Sequence, residues 1–197
     1  MYKPRVGVIR GGPSSEYEIS LQTGSAVLNV LDNERYEPVD IVISKEGLWH
    51  INGLVHEPHQ ALRKVDVVFN ALHGNYGEDG KLQHLLETHN IPFTGSGSLV
   101  SAITMNKVLA KDRLRESGLK VPAHIVVERA PLEEALTNGE DAVAHIYHLA
   151  HSKFAPPYVV KPVSGGSSNG VVLVRDSRRF AEALAKAFMH GDTVMIE

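Results

Sequence analysis

Four short segments of this 197-residue chain gather residues that carry charge or hydroxyl groups, three of them together with glycine. In Gly11-Gly12-Pro13-Ser14-Ser15-Glu16, the glycines allow a tight backbone turn, and free N–H groups at the start of a following helix favour anions. The Gly-x-Gly-x-x-Gly spacing of a dinucleotide fingerprint is absent. Glu16 in such a crevice has the charge to hold a substrate ammonium group; the plainer alternative is a strand-to-helix turn carrying a surface glutamate. In His73-Gly74-Asn75-Tyr76-Gly77-Glu78-Asp79-Gly80, glycines bare the backbone around a histidine able to donate to, or titrate against, a small anionic ligand. Its alternative is a packed or surface histidine. Asp79 reads as a helix N-cap and Glu78 as an acid matched to the helix dipole, both structural roles.

The third segment puts Lys161 on a strand, held extended by Pro162, ahead of Ser164-Gly165-Gly166-Ser167-Ser168-Asn169-Gly170. Such a Gly/Ser turn offers several free N–H groups and hydroxyls, the makings of a phosphate nest. The lysine precedes the loop, so this is not the Gly-x-x-x-x-Gly-Lys-Ser/Thr pattern. A flexible hairpin turn is the alternative, and the lysine with the double serine favours phosphate. In the fourth segment, Ser101 to Lys107, a lysine at a helix start has the wrong charge for the helix dipole unless an anion sits nearby; otherwise it is an exposed lysine. His145, His148 and His151 recur at threes along one helix with no carboxylate or cysteine to complete a metal set, so a solvated helix face is the favoured reading.

These segments need elements to hold them. Arg5–Arg10 reads as a strand ending on Gly11-Gly12, followed by a helix capped by Ser20 and running to about Leu31, with Val27, Val30 and Leu31 on one face. Glu37–Ile43 is a second strand. Val65–Leu72, nearly continuously apolar, reads as a central parallel strand buried on both faces. A helix carrying Leu82, Leu85 and Leu86 follows, then a short strand at Ile91–Gly95. Alternation of strands and helices with glycine at strand ends predicts a doubly wound α/β unit over residues 1–100.

The pattern changes near Ser98–Thr104, and residues 101–197 form a second unit. Lys107–Ser117 is a charged helix closed by Gly118, with Pro122 preventing continuation. We expect a strand at Ala123–Val127, a helix or helix pair over 131–152 with a break at Asn138-Gly139, strands at Tyr158–Pro162 and Gly170–Val174, and an amphipathic helix with Phe180, Ala183, Leu184, Ala187 and Phe188 on one stripe. Thr193–Glu197 reads as a final strand with no element after it, which predicts a truncated lobe with an unpaired edge, and hence self-association as a homodimer.

Composition excludes several classes. A net charge of −3, from 20 basic and 23 acidic residues, supplies no positive field for coating nucleic acid or an anionic membrane. The chain has no cysteine, which removes disulfides, thiolate metal sites and a cysteine nucleophile. No apolar run is long enough for a signal core or a membrane span, and a cytoplasmic protein is expected.

In this order the segments resemble those of the D-alanine–D-alanine ligases, members of the ATP-grasp superfamily. Gly11-Gly12-x-Ser14-x-Glu16-x-Glu18-x-Ser20 is similar to the family's N-terminal signature, and His73-Gly74-x-x-Gly77-Glu78-Asp79-Gly80-x-Leu82-Gln83 to its second. Pro92-Phe93-Thr94-Gly95-Ser96-Gly97, Ser101-Ala102 and Met105-x-Lys107 resemble the domain junction, and Val160-Lys161-Pro162 with Gly166-Ser167-Ser168-x-Gly170-Val171 the phosphate loop.

The resemblance implies a Rossmann-like preATP-grasp domain with a doubly wound parallel sheet, followed by an incomplete α+β ATP-grasp lobe. It implies that Lys107 and Lys161 contact the α/β phosphates of ATP, that the Gly165–Asn169 loop with Gly166, Ser167 and Ser168 closes over the β/γ phosphates, and that Glu197 contacts adenine. It further implies that Glu16 holds the ammonium of the first D-alanine, oriented by Ser167 with His73 close by. The reaction implied is phosphorylation of that D-alanine's carboxylate, then attack by the second D-alanine's amine, with Mg2+ offsetting phosphoryl charge. This serves peptidoglycan precursor synthesis. Asn106 stands where the family usually has aspartate, and Asn169 and His84 replace small or apolar residues. No Asp/Glu pair in the chain makes a magnesium site, so metal ligands and oxyanion groups are expected beyond Glu197, and the chain alone is expected to be inactive. The competing readings are a non-catalytic binding module that keeps the phosphate loop, and a ligase that takes D-lactate or D-serine second.

Overall fold

The computed structural model describes residues 2–197, which fall into two compact units divided between Thr104 and Met105. The first contains β1 (Arg5–Gly11), α1 (Tyr17–Val30), β2 (Glu37–Ile43), β3 (Trp49–Ile51), β4 (Leu54–His56), α2 (Pro58–Leu62), β5 (Val67–Asn70) and α3 (Lys81–Thr88). Helix α4 (Ser98–Met105) closes it.

The sheet order is β4-β3-β2-β1-β5, with β1 parallel to both β2 and β5, while β3 and β4 add an antiparallel hairpin. The sheet is therefore parallel at β2-β1-β5, as expected, with an antiparallel hairpin added at one edge. Alternate residues of β1 bury against opposite layers. Val6 and Val8 pack with Val27, Leu28 and Leu31 around α1, while Ile9 joins Ile41, Ile43, Trp49, Leu62, Leu82 and Leu86 on the other face. Helices thus cover both faces, the doubly wound arrangement.

Several expectations change here. Ser20 is not the cap of α1; it lies inside the helix, fully buried. Val30 points away from the core and is exposed, and Leu28 takes its place on the packed face. The apolar run Val65–Leu72 yields only four strand residues, because β5 is the last strand of the ladder and β1 is the interior one. Ile91–Gly95 contributes a single parallel bridge, Val68 to Phe93. The capping position of α3 is Gly80 with a positive φ, and the Asp79 carboxylate accepts from the Lys81 N–H beside it.

The second unit contains α5 (Lys107–Glu116), β6 (Ile125–Glu128), α6 (Arg129–Thr137), α7 (Ala142–Lys153), β7 (Tyr158–Pro162), β8 (Val172–Val174), α8 (Phe180–Phe188) and β9 (Thr193–Ile196). Its antiparallel sheet has the order β6-β9-β7-β8. The five residues expected to face inward from α8 are all buried, against Tyr158, Val160, Val174, Val194 and Ile196. Gly118 follows α5 with φ +81°, as a helix-ending glycine does. The final strand is where sequence reasoning fails: β9 is hydrogen-bonded on both sides, to β6 and to β7. The unpaired edge that motivated a homodimer is absent there, and the sheet's outer strands are β6 and β8. Among the described residues no helix is long and apolar enough to cross a membrane.

Candidate functional site

In the first unit, the turns after β1 and β5 meet. Gly11 ends β1 with φ +89°, and a Cβ there would lie 2.3 Å from the Ile43 carbonyl oxygen, so only glycine fits. The chain then turns through Ser14, whose hydroxyl donates to the His73 carbonyl (2.7 Å) and accepts from the Glu16 N–H (3.1 Å). These bonds bring the Glu16 side chain over the second turn: a Cβ added at Gly74, where φ is +70°, would sit 2.9 Å from Glu16 Oε2.

His73 Nε2 lies 2.9 Å from the Thr23 hydroxyl of α1, and its Nδ1 is 3.7 Å from Glu78 Oε1. The other Glu78 oxygen accepts the Gly74 N–H at 3.0 Å. Glu78, expected to serve only the helix dipole, thus faces His73. The loop's far side is pinned at the Gly77 carbonyl, which accepts from Asn70 Nδ2 (2.8 Å) and Gln83 Nε2 (2.7 Å). Glu16 and Glu78 thus both approach the turn that carries His73, a predominantly acidic neighbourhood suited to an amine. Ser14, Thr23 and Asn70 escaped sequence reasoning as site builders, since each acts through partners distant along the chain.

Behind this cluster, Ser20 joins the two strand ends. Its hydroxyl accepts the Gly11 N–H (2.7 Å) and donates to the Ala71 carbonyl (2.8 Å).

In the second unit, α5 is stitched to the end of β7. The Asn106 side chain caps the helix by accepting from the Val108 and Leu109 N–H groups, and the Lys107 N–H donates to the Val163 carbonyl at 2.9 Å. Asparagine therefore does the capping work expected of aspartate. The Lys107 ammonium donates to the Gly165 carbonyl at 2.8 Å. Its pKa is lowered, chiefly by burial and then by repulsion from Lys161, with Glu197 opposing.

Lys161 donates to one oxygen of the Glu197 carboxylate, and Lys111 donates to the other. The side chains of all three are largely buried. Burial alone would raise the Glu197 pKa, but the hydrogen bonds from Lys111 and Lys161 outweigh it and hold the carboxyl below its usual range. Lys111 was not foreseen, although it stands one helical turn beyond Lys107 and so on the same face.

The loop after β7 is exposed, and Ser167 and Ser168 both have positive φ (49° and 57°). With the Asn169 N–H bonded to the Gly166 carbonyl at 3.1 Å, this matches the φ pattern of a type I′ turn. Serine at both central positions is uncommon in such a turn, and strain of this kind gathers at ligand clamps. Lys107, Lys161, Gly165–Asn169, Val159 and Val171 line a cavity of about 280 Å³. Counting Lys111 behind it, three ammonium groups face one carboxylate, an excess of positive charge fit for a polyphosphate. A larger cavity, about 420 Å³, lies among β6, α6 and α7, lined mainly by apolar residues with Glu128, Glu140 and His145, and holds no lysine or arginine.

Residues 5–61 and 52–96 match the family model described as D-ala D-ala ligase N-terminus, and residues 113–197 match that described as D-ala D-ala ligase C-terminus. The chain belongs to the D-alanine–D-alanine ligase family. A D-alanine–D-alanine ligase of Geobacter sulfurreducens is 37% identical over 194 residues, covering 98% of this chain and 54% of that protein. The D-alanine–D-alanine ligase A of Escherichia coli K12 is 34% identical over 231 residues, covering 100% and 61%. Among solved structures, the D-alanine–D-alanine ligase of Coxiella burnetii aligns with a TM-score of 0.81 at 28% identity, over 100% of this chain and 62% of its own. VanG D-Ala:D-Ser ligase of Enterococcus faecalis aligns at 0.78 and 30% identity over 100% and 62%. The chain therefore spans about half the length of these curated relatives, 54% and 61% of the two.

His145, His148 and His151 of α7 are all exposed, in keeping with the solvated helix face read from the sequence. His151 Nδ1 lies 3.0 Å from the Tyr158 hydroxyl, its ring stacks on Tyr147, and His148 meets Tyr147 edge-on.

Proposed function

We propose that this chain supplies the amine-holding and nucleotide-binding parts of an ATP-dependent D-alanine–D-alanine ligase that makes the dipeptide for peptidoglycan. The observation that carries the reading is the lysine-rich cavity beneath the Ser167-Ser168 turn. Lys107 and Lys161 take the α/β phosphates of ATP, exchanging the Gly165 carbonyl and the Glu197 carboxylate for phosphate oxygens. Gly166, Ser167 and Ser168 offer N–H and hydroxyl donors to the β/γ phosphates, with Ser167 also serving the first D-alanine, and Glu197 contacts adenine. In the first unit Glu16 holds the ammonium of the first D-alanine, with His73 donating to its carboxylate.

The chemistry of the full enzyme is then phosphoryl transfer from ATP to that carboxylate, followed by attack of the second amine on the acyl phosphate with loss of phosphate. Among the described residues no set of three or more His, Asp or Glu is grouped to hold a metal ion, so no magnesium ligand is assigned to this chain. Relatives named D-alanine–D-alanine ligase and D-Ala:D-Ser ligase both align over the whole chain.

Calorimetric titration of the 197-residue chain with ATP tests the reading. Saturable binding that Lys161→Met weakens at least tenfold is the expected result; absence of binding, or binding indifferent to Lys161, refutes it. The same chain is expected to show no D-alanine-dependent phosphate release, since it spans only about half of its relatives' length.

A further inference from the structure

Lys111 is absent from the phosphate-loop motifs, yet the structure gives it the most constrained environment of the three lysines. Its ammonium donates to Glu197 and, at 3.3 Å, to the Pro122 carbonyl, and its side chain is 12% exposed. It projects from α5 on the face that also carries Lys107. Two like charges one turn apart cost an isolated helix only about 0.2–0.5 kcal/mol, and nearby acceptors offset it. Lys111 has its own in Glu197. The Glu197 carboxylate is split evenly, one oxygen to Lys111 and one to Lys161, with its backbone fixed by reciprocal hydrogen bonds to Val159 (2.7 and 3.0 Å).

That geometry has a consequence for Lys161. A carboxylate already paired with Lys111 presents little net charge to a second ammonium, so Lys161 is held in place but not captured. Without Lys111, the full charge of Glu197 would fall on Lys161 inside a poorly solvated site, where such a pair is strong. We propose that Lys111 is a positioning residue for the nucleotide site: it neutralises Glu197 from behind and thereby keeps Lys161 available for a polyphosphate. The inference rests on the nucleotide-binding reading above and adds to it a residue that touches no ligand.

The test uses inorganic tripolyphosphate beside ATP, because the base-free probe reads Lys161 without any contribution from an adenine contact. Binding of both is measured by calorimetry to the full 197-residue chain and to Lys111→Met, Lys111→Arg and the double variant Lys111→Met/Glu197→Gln, with circular dichroism confirming that each is folded. Lys111→Met is expected to weaken tripolyphosphate on the order of ten- to a hundredfold, a typical coupling between linked sites. Lys111→Arg restores most of it. The double variant recovers at least half of the loss in binding free energy, because removing the carboxylate's charge releases Lys161. In that variant Lys161 loses its carboxylate partner, so if either Met-containing variant fails to fold, Lys111→Arg carries the test: a folded Lys111→Arg that has lost tripolyphosphate binding overturns the inference.

Tripolyphosphate binding by Lys111→Met equal to that of the unaltered chain overturns the inference while leaving the nucleotide reading standing. A folded double variant as weak as, or weaker than, Lys111→Met likewise overturns it, since a purely structural lysine would not be rescued by a second disruption. Failure of the unaltered chain to bind ATP or tripolyphosphate overturns the nucleotide reading and the inference with it.

Discussion

Replacing Ser20 with alanine tests how the first unit holds its two turns together. The hydroxyl is fully buried and bridges two backbone groups, accepting from the Gly11 N–H at 2.7 Å and donating to the Ala71 carbonyl at 2.8 Å. Ser20→Ala removes both bonds and strands a donor and an acceptor where water has little access. A hydrogen bond contributes about 1 kcal/mol net, and leaving a buried backbone group unsatisfied costs about 1–3 kcal/mol, so the loss should be about 2–4 kcal/mol. Trp49 is the chain's one tryptophan and is 2% exposed in the core of this unit, so its fluorescence follows the unfolding of the first unit alone. With a urea dependence of about 2 kcal/mol per molar, the midpoint should fall by about 1–2 M. Ser20→Cys, similar in shape but a weak donor and acceptor, should fall between. A midpoint for Ser20→Ala within about 0.3 M of the unaltered chain, at unchanged slope, would refute the reasoning, because it would mean that the strand ends are fixed by other contacts.

Three further outcomes are expected. Gly74→Ala should weaken D-alanine binding by about tenfold or more in calorimetry, because its Cβ at φ +70° would press within 2.9 Å of Glu16 Oε2; unchanged binding would remove Glu16 from the amine site. Burial and Lys161 lower the Lys107 pKa below its ordinary value of 10.5, so charged Lys107 weakens the fold and that effect is relieved as pH rises through the window between its lowered value and 10.5. A bound polyphosphate reverses the shift, and ATP titrations at alkaline pH in buffers of different ionisation enthalpy should report proton uptake. Glu197 has a folded pKa below its ordinary 4.5, so its ion pairs stabilise the second unit above that pH and the contribution is lost as pH falls from there through the folded value; Glu197→Gln should flatten the acid limb of a stability profile followed by circular dichroism.

What the sequence reveals depends on whether the signal is local. Helix α8 is fully legible because Phe180, Ala183, Leu184, Ala187 and Phe188 repeat at the helical period and one buried face accounts for them. The ends of α5 are legible too, since Gly118 supplies the positive φ that stops the helix. The β3–β4 hairpin carried a usable signal that went unread: Asn52-Gly53 between short apolar runs, both with positive φ, is a type I′ turn sequence. Strand order is different in kind. Nothing in Thr193–Ile196 says that it will lie between β6 and β7, because its neighbours are set by pairing with segments up to some seventy residues away. Ser20 was misjudged for a related reason. A serine near a helix start resembles a cap, and only the tertiary position of Gly11 and Ala71 shows it to be a buried bridge.

The same division explains the candidate sites. The residues that present polar groups declare themselves by type and spacing: Glu16, His73, Lys161, Ser167 and Ser168 in compact glycine-rich segments, and Lys107 at a helix start. The residues that hold them in place do not: Ser14, Asn70 and Gln83 in the first unit and Lys111 in the second act through hydrogen bonds that only the fold creates. Charge is sorted between the units as the proposed chemistry requires. The first offers Glu16 and Glu78 around one histidine, an environment that favours an amine. The second offers three lysines against Glu197, an environment that favours phosphate. A reaction that joins an amino acid's carboxylate to an amine at the expense of ATP needs both kinds of grip, so the two environments support the proposed reading together where either alone would fit a simple binding module.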